Sequence, residues 1–155
     1  MSAVADRSGA GAGRSALAPR LGLGLVAAGQ AEVGFWGLID PHSFFANFPG
    51  AGHHWVSALG AYNQHLVRDY AAAELGLAVL LALAALRFQR GLVLGAGVAF
   101  LVATVPHLVY HLTTTNRFST ADNLASLGAF VLELVLVALA TLSVAQTPAL
   151  LERRP

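Results

Sequence analysis

The sequence predicts an all-α fold: an integral membrane four-helix bundle with both termini cytoplasmic and an interfacial cap loop on the outer side. Three observations predict it. Of 155 residues, 56% are hydrophobic and only 11% are charged, where a soluble domain carries about a quarter charged residues. Four apolar stretches, near 21–39, 64–86, 91–112 and 123–145, approach or exceed the roughly 20 residues that cross a bilayer. Of the nine basic residues, all arginine, seven gather in alternate connections, while Arg117 lies in segment 113–122 and Arg68 within the second span. Arg7, Arg14 and Arg20 precede the first stretch, Arg87 and Arg90 separate the second from the third, and Arg153 and Arg154 follow the fourth. Basic residues mark cytoplasmic segments, so segments 40–62 and 113–122 are expected to face outward.

Each segment follows from its composition. Residues 1–20, MSAVADRSGAGAGRSALAPR, are small and polar without apolar periodicity, which predicts a flexible N-terminal arm. LGLGLVAAGQA has the short apolar core and small-residue end of a cleavable signal. The apolar run resumes as VGFWGLI, which predicts an uncleaved first span. Segment 40–62, DPHSFFANFPGAGHHWVSALGAY, opens with an N-cap and first-turn proline, Asp40-Pro41, and turns at Pro49-Gly50. Phe44, Phe45, Phe48, Trp55 and Tyr62 suit the headgroup level, so short helices lying over the bundle are expected. His53 and His54 are assigned no role beyond this surface loop. In the second span, AAAELGLAVLLALAAL is too short alone, so the helix takes in QHLVRDY with Arg68 and Asp69. Pro106 is expected to bend the third span, since it removes a backbone donor. Ser119 and Asp122 fit a capping box at the start of the fourth. Residues 146–155 form a cytoplasmic tail.

The polar residues are one-sided. His42, His53, His54, His65, His107 and His111 all fall in the outer half, with Asp40, Asp69 and Asp122. Small residues line one helix face in each span and end in polar groups: Gly24, Ala28 and Glu32 in the first, Gly95, Ala99, Ala103, His107 and His111 in the third, Ala125, Ala129 and Glu133 in the fourth. Small faces pack helices in lipid, and an ionisable side chain facing hydrocarbon is costly, so these faces are expected inside. At ~1.5 Å per residue, Glu32, Asp69 and His107 share one depth, His65 and His111 lie above, and Glu74 and Glu133 lie below.

His65-x3-Asp69 facing His107-x3-His111 is a chelating pattern. Imidazole and carboxylate suit iron, copper or zinc, and bundles hold metals through inward ligands. The candidate metal or haem ligands are therefore His65, Asp69, His107 and His111. Glu32, Arg68, Glu74, Asp122 and Glu133 are the candidate supporting or proton-handling groups. Local readings compete: the histidines as satisfied interfacial residues, Arg68 as half of an ion pair, Asp122 as a cap. An unpaired Glu133 at its depth needs a partner.

There is no cysteine, which excludes disulfides and thiolate chemistry. No phosphate loop, nucleophile elbow or nucleic-acid motif is present, so no nucleic-acid partner is expected. PRLGLGLVAAGQAEVGFWGLIDPHSFFANFPG, YNQHLVRDYAAAELGLA and VPHLVYHL together resemble small four-span bacterial membrane proteins of the DoxX-like kind. The resemblance covers most of the chain after residue 18. It implies the four-span fold, the bacterial cytoplasmic membrane, and an association with quinol-linked oxidation. The expected function is thus an outer-side His/carboxylate site in redox chemistry with a lipid-soluble partner such as a quinone. The alternative is a non-catalytic accessory or lipid-binding subunit of a membrane complex or homo-oligomer.

Overall fold

The computed structural model describes residues 7–146, with side chains from residue 16 onward. Among these residues all regular structure is helical: α1 (Arg7–Ile39), α2 (Pro41–Asn47), α3 (Gln64–Arg87), α4 (Arg90–Thr113) and α5 (Thr120–Ala145), with a 3-10 turn at Thr115–Arg117. Four stretches are long and apolar enough to cross a membrane: Ala16–Ile39, Gln64–Arg87, Arg90–Thr113 and Thr120–Ala145. Each overlaps one expected span. The expected N-terminal arm differs, because the backbone is helical from Arg7 and continues through Pro19. The helix runs through Gly9, Gly11, Gly13 and Pro19 despite their poor helix propensity. Residues 1–6 of that arm and 147–155 of the expected tail lie outside the described residues.

The helix boundaries have local causes. Asp40 accepts from the Ser43 amide at 3.0 Å, with Pro41 in the first turn of α2. Asn63 caps α3 by accepting from Leu66 N at 3.1 Å. Ser119 caps α5 by accepting from Asp122 N at 3.1 Å. These side chains satisfy amides that have no partner inside their helices. Pro106 does not interrupt α4.

The helices run up and down. The first turns of the Ala16–Ile39 span of α1 meet the end of α3, where the Arg20 guanidinium donates to Leu86 O at 3.3 Å and lies 5.1 Å from the Phe88 ring centroid. α1 and α3 approach most closely. A Cβ on Gly34 would lie 2.7 Å from Leu75 Cβ, and one on Gly37 would lie 2.6 Å from Ala71 Cβ. Glycine lets the two backbones meet there, as small residues do between helices in lipid.

The interior is divided along its length. In the half nearest the α3–α4 turn, Leu23, Leu81, Val93, Phe100 and Val137 are buried in one cluster. In the other half α1, α3, α4 and α5 do not fill the interior. That half is roofed by α2 and the segment leading to α3. Outside, large apolar side chains such as Leu25, Phe35, Val79, Val102, Val109, Leu124 and Leu139 are exposed on all four long helices, the surface a lipid environment favours.

Candidate functional site: a half-bundle cavity with paired imidazoles

The unfilled half contains a cavity of about 490 Å³, within the range of small-molecule sites. Its walls come from every long helix: Gln30 and Val33 from α1, Tyr70 and Glu74 from α3, Thr104, His107 and His111 from α4, and Phe130 and Glu133 from α5. The helices leave space here because the inward positions carry short side chains, including Ala103, Ser126 and Ala129. The lining is mainly apolar, with polar groups at a few points.

Those polar groups form three pairs. The first is His107 with His111, whose Nε2 atoms are 3.2 Å apart. One ring donates and the other accepts. His111 is 7% exposed, and its Nδ1 is buried without a hydrogen-bond partner. Aromatic rings hold both imidazoles. Phe130 lies 5.0 Å from His107 and 5.2 Å from His111, Tyr70 lies 6.0 Å from His107, and Phe118 stacks on His111 at 5.8 Å. The second pair joins α1 to α5: Gln30 Nε2 donates to both Glu133 oxygens at 3.4 Å. Glu133 thus has the partner its depth requires. The third is Tyr70 with Glu74, which interact one turn apart on α3.

The roof is aromatic and is tied down by one carboxylate. Phe44, Phe48 and Trp55 line the cavity from above. Trp36 meets Phe44 edge-on at 5.9 Å, and Phe48 meets Trp55 at 6.2 Å. Asp122, at the start of α5, accepts from Trp55 Nε1 at 2.8 Å and from His53 Nδ1 at 2.6 Å through one oxygen. Its other oxygen accepts from Ser119 Oγ at 2.6 Å. His54 Nδ1 donates to Ala46 O at 2.6 Å, closing the loop onto α2.

Several expected placements are corrected. His65, Asp69, His107 and His111 do not form one ligand set. His65 and Asp69 pair with each other at 3.3 Å, with side chains 88% and 63% exposed. Among the described residues no three His, Asp or Glu side chains converge as a metal site. The cause is the rotation of α3: Asp69 and Glu74 differ by roughly 140° around a helix of 3.6 residues per turn. Packing Val67, Ala71 and Ala78 inward turns Tyr70 and Glu74 to the cavity and His65 and Asp69 away. His107 and His111 alone offer two donors, fewer than a protein zinc site uses. Glu32 is exposed, because it stands two residues, roughly 200°, from buried Gln30. The Arg68 guanidinium donates to Leu38 O at 2.8 Å, capping a carbonyl of the last α1 turn. Asp122 is absent from the cavity lining and holds the roof. Of the expected supporting groups, Glu74 and Glu133 line the cavity.

Sequence reasoning passed over Gln30 and Tyr70, placed Trp55 only among the headgroup-level aromatics and gave His53 no role beyond the loop. Gln30 had a signal, an amide within an apolar span, which needs a partner as a carboxyl does. His53 had none, because its partner is distant in sequence. No protein family, curated protein or solved structure matches this chain.

Proposed function

We propose that this protein is a multi-pass membrane protein that binds a lipid-soluble, ring-bearing molecule of the quinone class in its half-bundle cavity. One observation carries the reading: a cavity of about 490 Å³, mainly apolar, has paired hydrogen-bonding groups at a few points and aromatic rings around the imidazoles. Apolar walls with a few fixed polar groups are what bind and orient such ligands. The His107 imidazole offers a hydrogen-bonding ring nitrogen to a quinone or quinol oxygen. Glu74 and Glu133 are acceptors for the hydroxyls of a quinol. Arginine placement supports cytoplasmic termini, and with that orientation the cavity faces the outer half of the membrane. The DoxX-like resemblance points the same way.

The reading is of binding, with the chain acting as an accessory subunit that holds the ligand for a redox partner. His65 and Asp69 lie apart from His107 and His111, and in this reading electron transfer is assigned to that partner.

Trp55 lines the cavity and Trp36 adjoins its roof, so ligand entry is read by tryptophan fluorescence. A chainless benzoquinone added to protein in nanodiscs is expected to quench saturably. His107→Leu is expected to weaken binding about tenfold, the loss of one desolvated hydrogen bond. Linear, non-saturating quenching, identical in wild type and variant, would sink the proposal.

A further inference from the structure

Beside the cavity, α3 and α4 leave a second cleft of about 290 Å³, lined by Ala73, Gly76 and Leu80 of α3 and Ala99 of α4, among others. Glu74 and Ala103 line both spaces. The cleft therefore adjoins the cavity at these two residues and extends along the α3/α4 seam toward Leu80 and Ala99. Small side chains keep it open: a Cβ on Gly76 would meet nothing within 4 Å. From Ala73 to Leu80 it covers ~10 Å of helix.

The two spaces differ in chemistry. The cavity has imidazoles, an amide and carboxyls, including a His111 that is 7% exposed and has an unpartnered Nδ1. Beyond Glu74 the cleft has only apolar side chains. Phe44, Phe48 and Trp55 cover the cavity from above, and Leu81 and Phe100 belong to the packed cluster in the other half of the bundle. A ligand with a polar ring in the cavity thus has an apolar cleft beside it, between α3 and α4.

We propose that the cavity's ligand carries a single linear hydrocarbon chain, with its ring beside His107 and His111 and its chain in the α3/α4 cleft, reaching the bilayer past Leu80. This rests on the reading of the cavity as a site for a lipid-soluble ring, and it specifies the class: chain-bearing rather than compact. One cleft, open along its length, suits one chain.

The test uses full-length protein in nanodiscs, tryptophan quenching, and two probes: a chainless benzoquinone and the same ring bearing a decyl chain. Gly76→Leu and Ala99→Leu each fill the cleft from one side, on different helices, at positions outside the packed core. Each is expected to weaken decyl-quinone binding about tenfold, as overpacking does, and to leave the chainless probe within about twofold. Comparing each probe between variant and wild type cancels its partitioning into lipid. A decyl chain with a terminal photoreactive group is expected to label Leu77, Leu80 or Ala99 in wild type. Both probes binding wild type while neither variant separates them, or labelling confined to the 40–63 segment, overturns the chain assignment alone. Neither probe binding wild type overturns the cavity reading and this inference together.

Discussion

At the residue scale the site depends on side chains that serve two elements at once. Asp122 is the clearest. One oxygen holds His53 and Trp55 of the roof, and the other accepts from the Ser119 hydroxyl at the α5 cap. Asp122→Ala is expected to free the 49–60 segment while the long helices persist. Tryptophan emission should shift to the red and limited proteolysis within 49–60 should accelerate, with far-UV circular dichroism nearly unchanged. Asp122→Asn keeps one acceptor and should fall between the two. An Asp122→Ala variant as resistant as wild type would show that the aromatic contacts hold the roof alone. The sequence made part of this legible. The four-residue spacing of His107 and His111 put both on one face, and the Ser119–Asp122 cap was readable from local pattern. Hidden was the tie from Asp122 to His53 and Trp55, because no local rule pairs residues so far apart in sequence.

At the element scale, the rotation of each helix decides which polar groups meet. The i, i+4 rule groups residues onto a shared face without saying which neighbour that face meets. His65 and Asp69 do share a face, and it turns away from α4. α3 is oriented instead by its fit to α1, where Gly34 and Gly37 admit Leu75 and Ala71. Of the polar groups expected inside, His107, His111 and Glu133 line the cavity, whereas Glu32, His65 and Asp69 do not, and the small-residue faces are exposed at Ala28, Gly95 and Ala125. Helix positions were legible from hydropathy, since four apolar runs admit few other readings. Gly34→Val should force α1 and α3 apart and cost about 1–3 kcal/mol, read as a lower Tm in detergent. Gly95→Ala, where a Cβ meets nothing within 4 Å, should instead stabilise by about 0.5–1 kcal/mol through helix propensity. Equal effects would contradict the close α1–α3 approach.

At the scale of the whole molecule, one end of the bundle is packed and the other holds the cavity. Buried Leu81, Phe100 and Val137 mark the first; Ala103, Ser126 and Ala129 mark the second. The sequence showed the clustering of histidines and acids toward one end. It did not show an interior space, which depends on how far four helices separate. The proposed orientation follows from arginine placement and has its own test. The chain has no native cysteine, so single cysteines report sidedness cleanly. Gly60→Cys in the roof segment should react with an impermeant maleimide in spheroplasts, and Gln89→Cys in the α3–α4 turn only after lysis. The reverse pattern would invert the topology.

The central claim is that the cavity holds a lipid-soluble, ring-bearing molecule, and native purification tests it most directly. Wild-type protein and Ala129→Phe, which fills the cavity from α5, are purified from their own membranes in mild detergent, and the organic extract of each is measured by mass spectrometry. The account predicts a quinone-class molecule near one per wild-type chain and its loss from a folded Ala129→Phe. Equal recovery from both proteins, or only bulk membrane lipid from wild type, would contradict it.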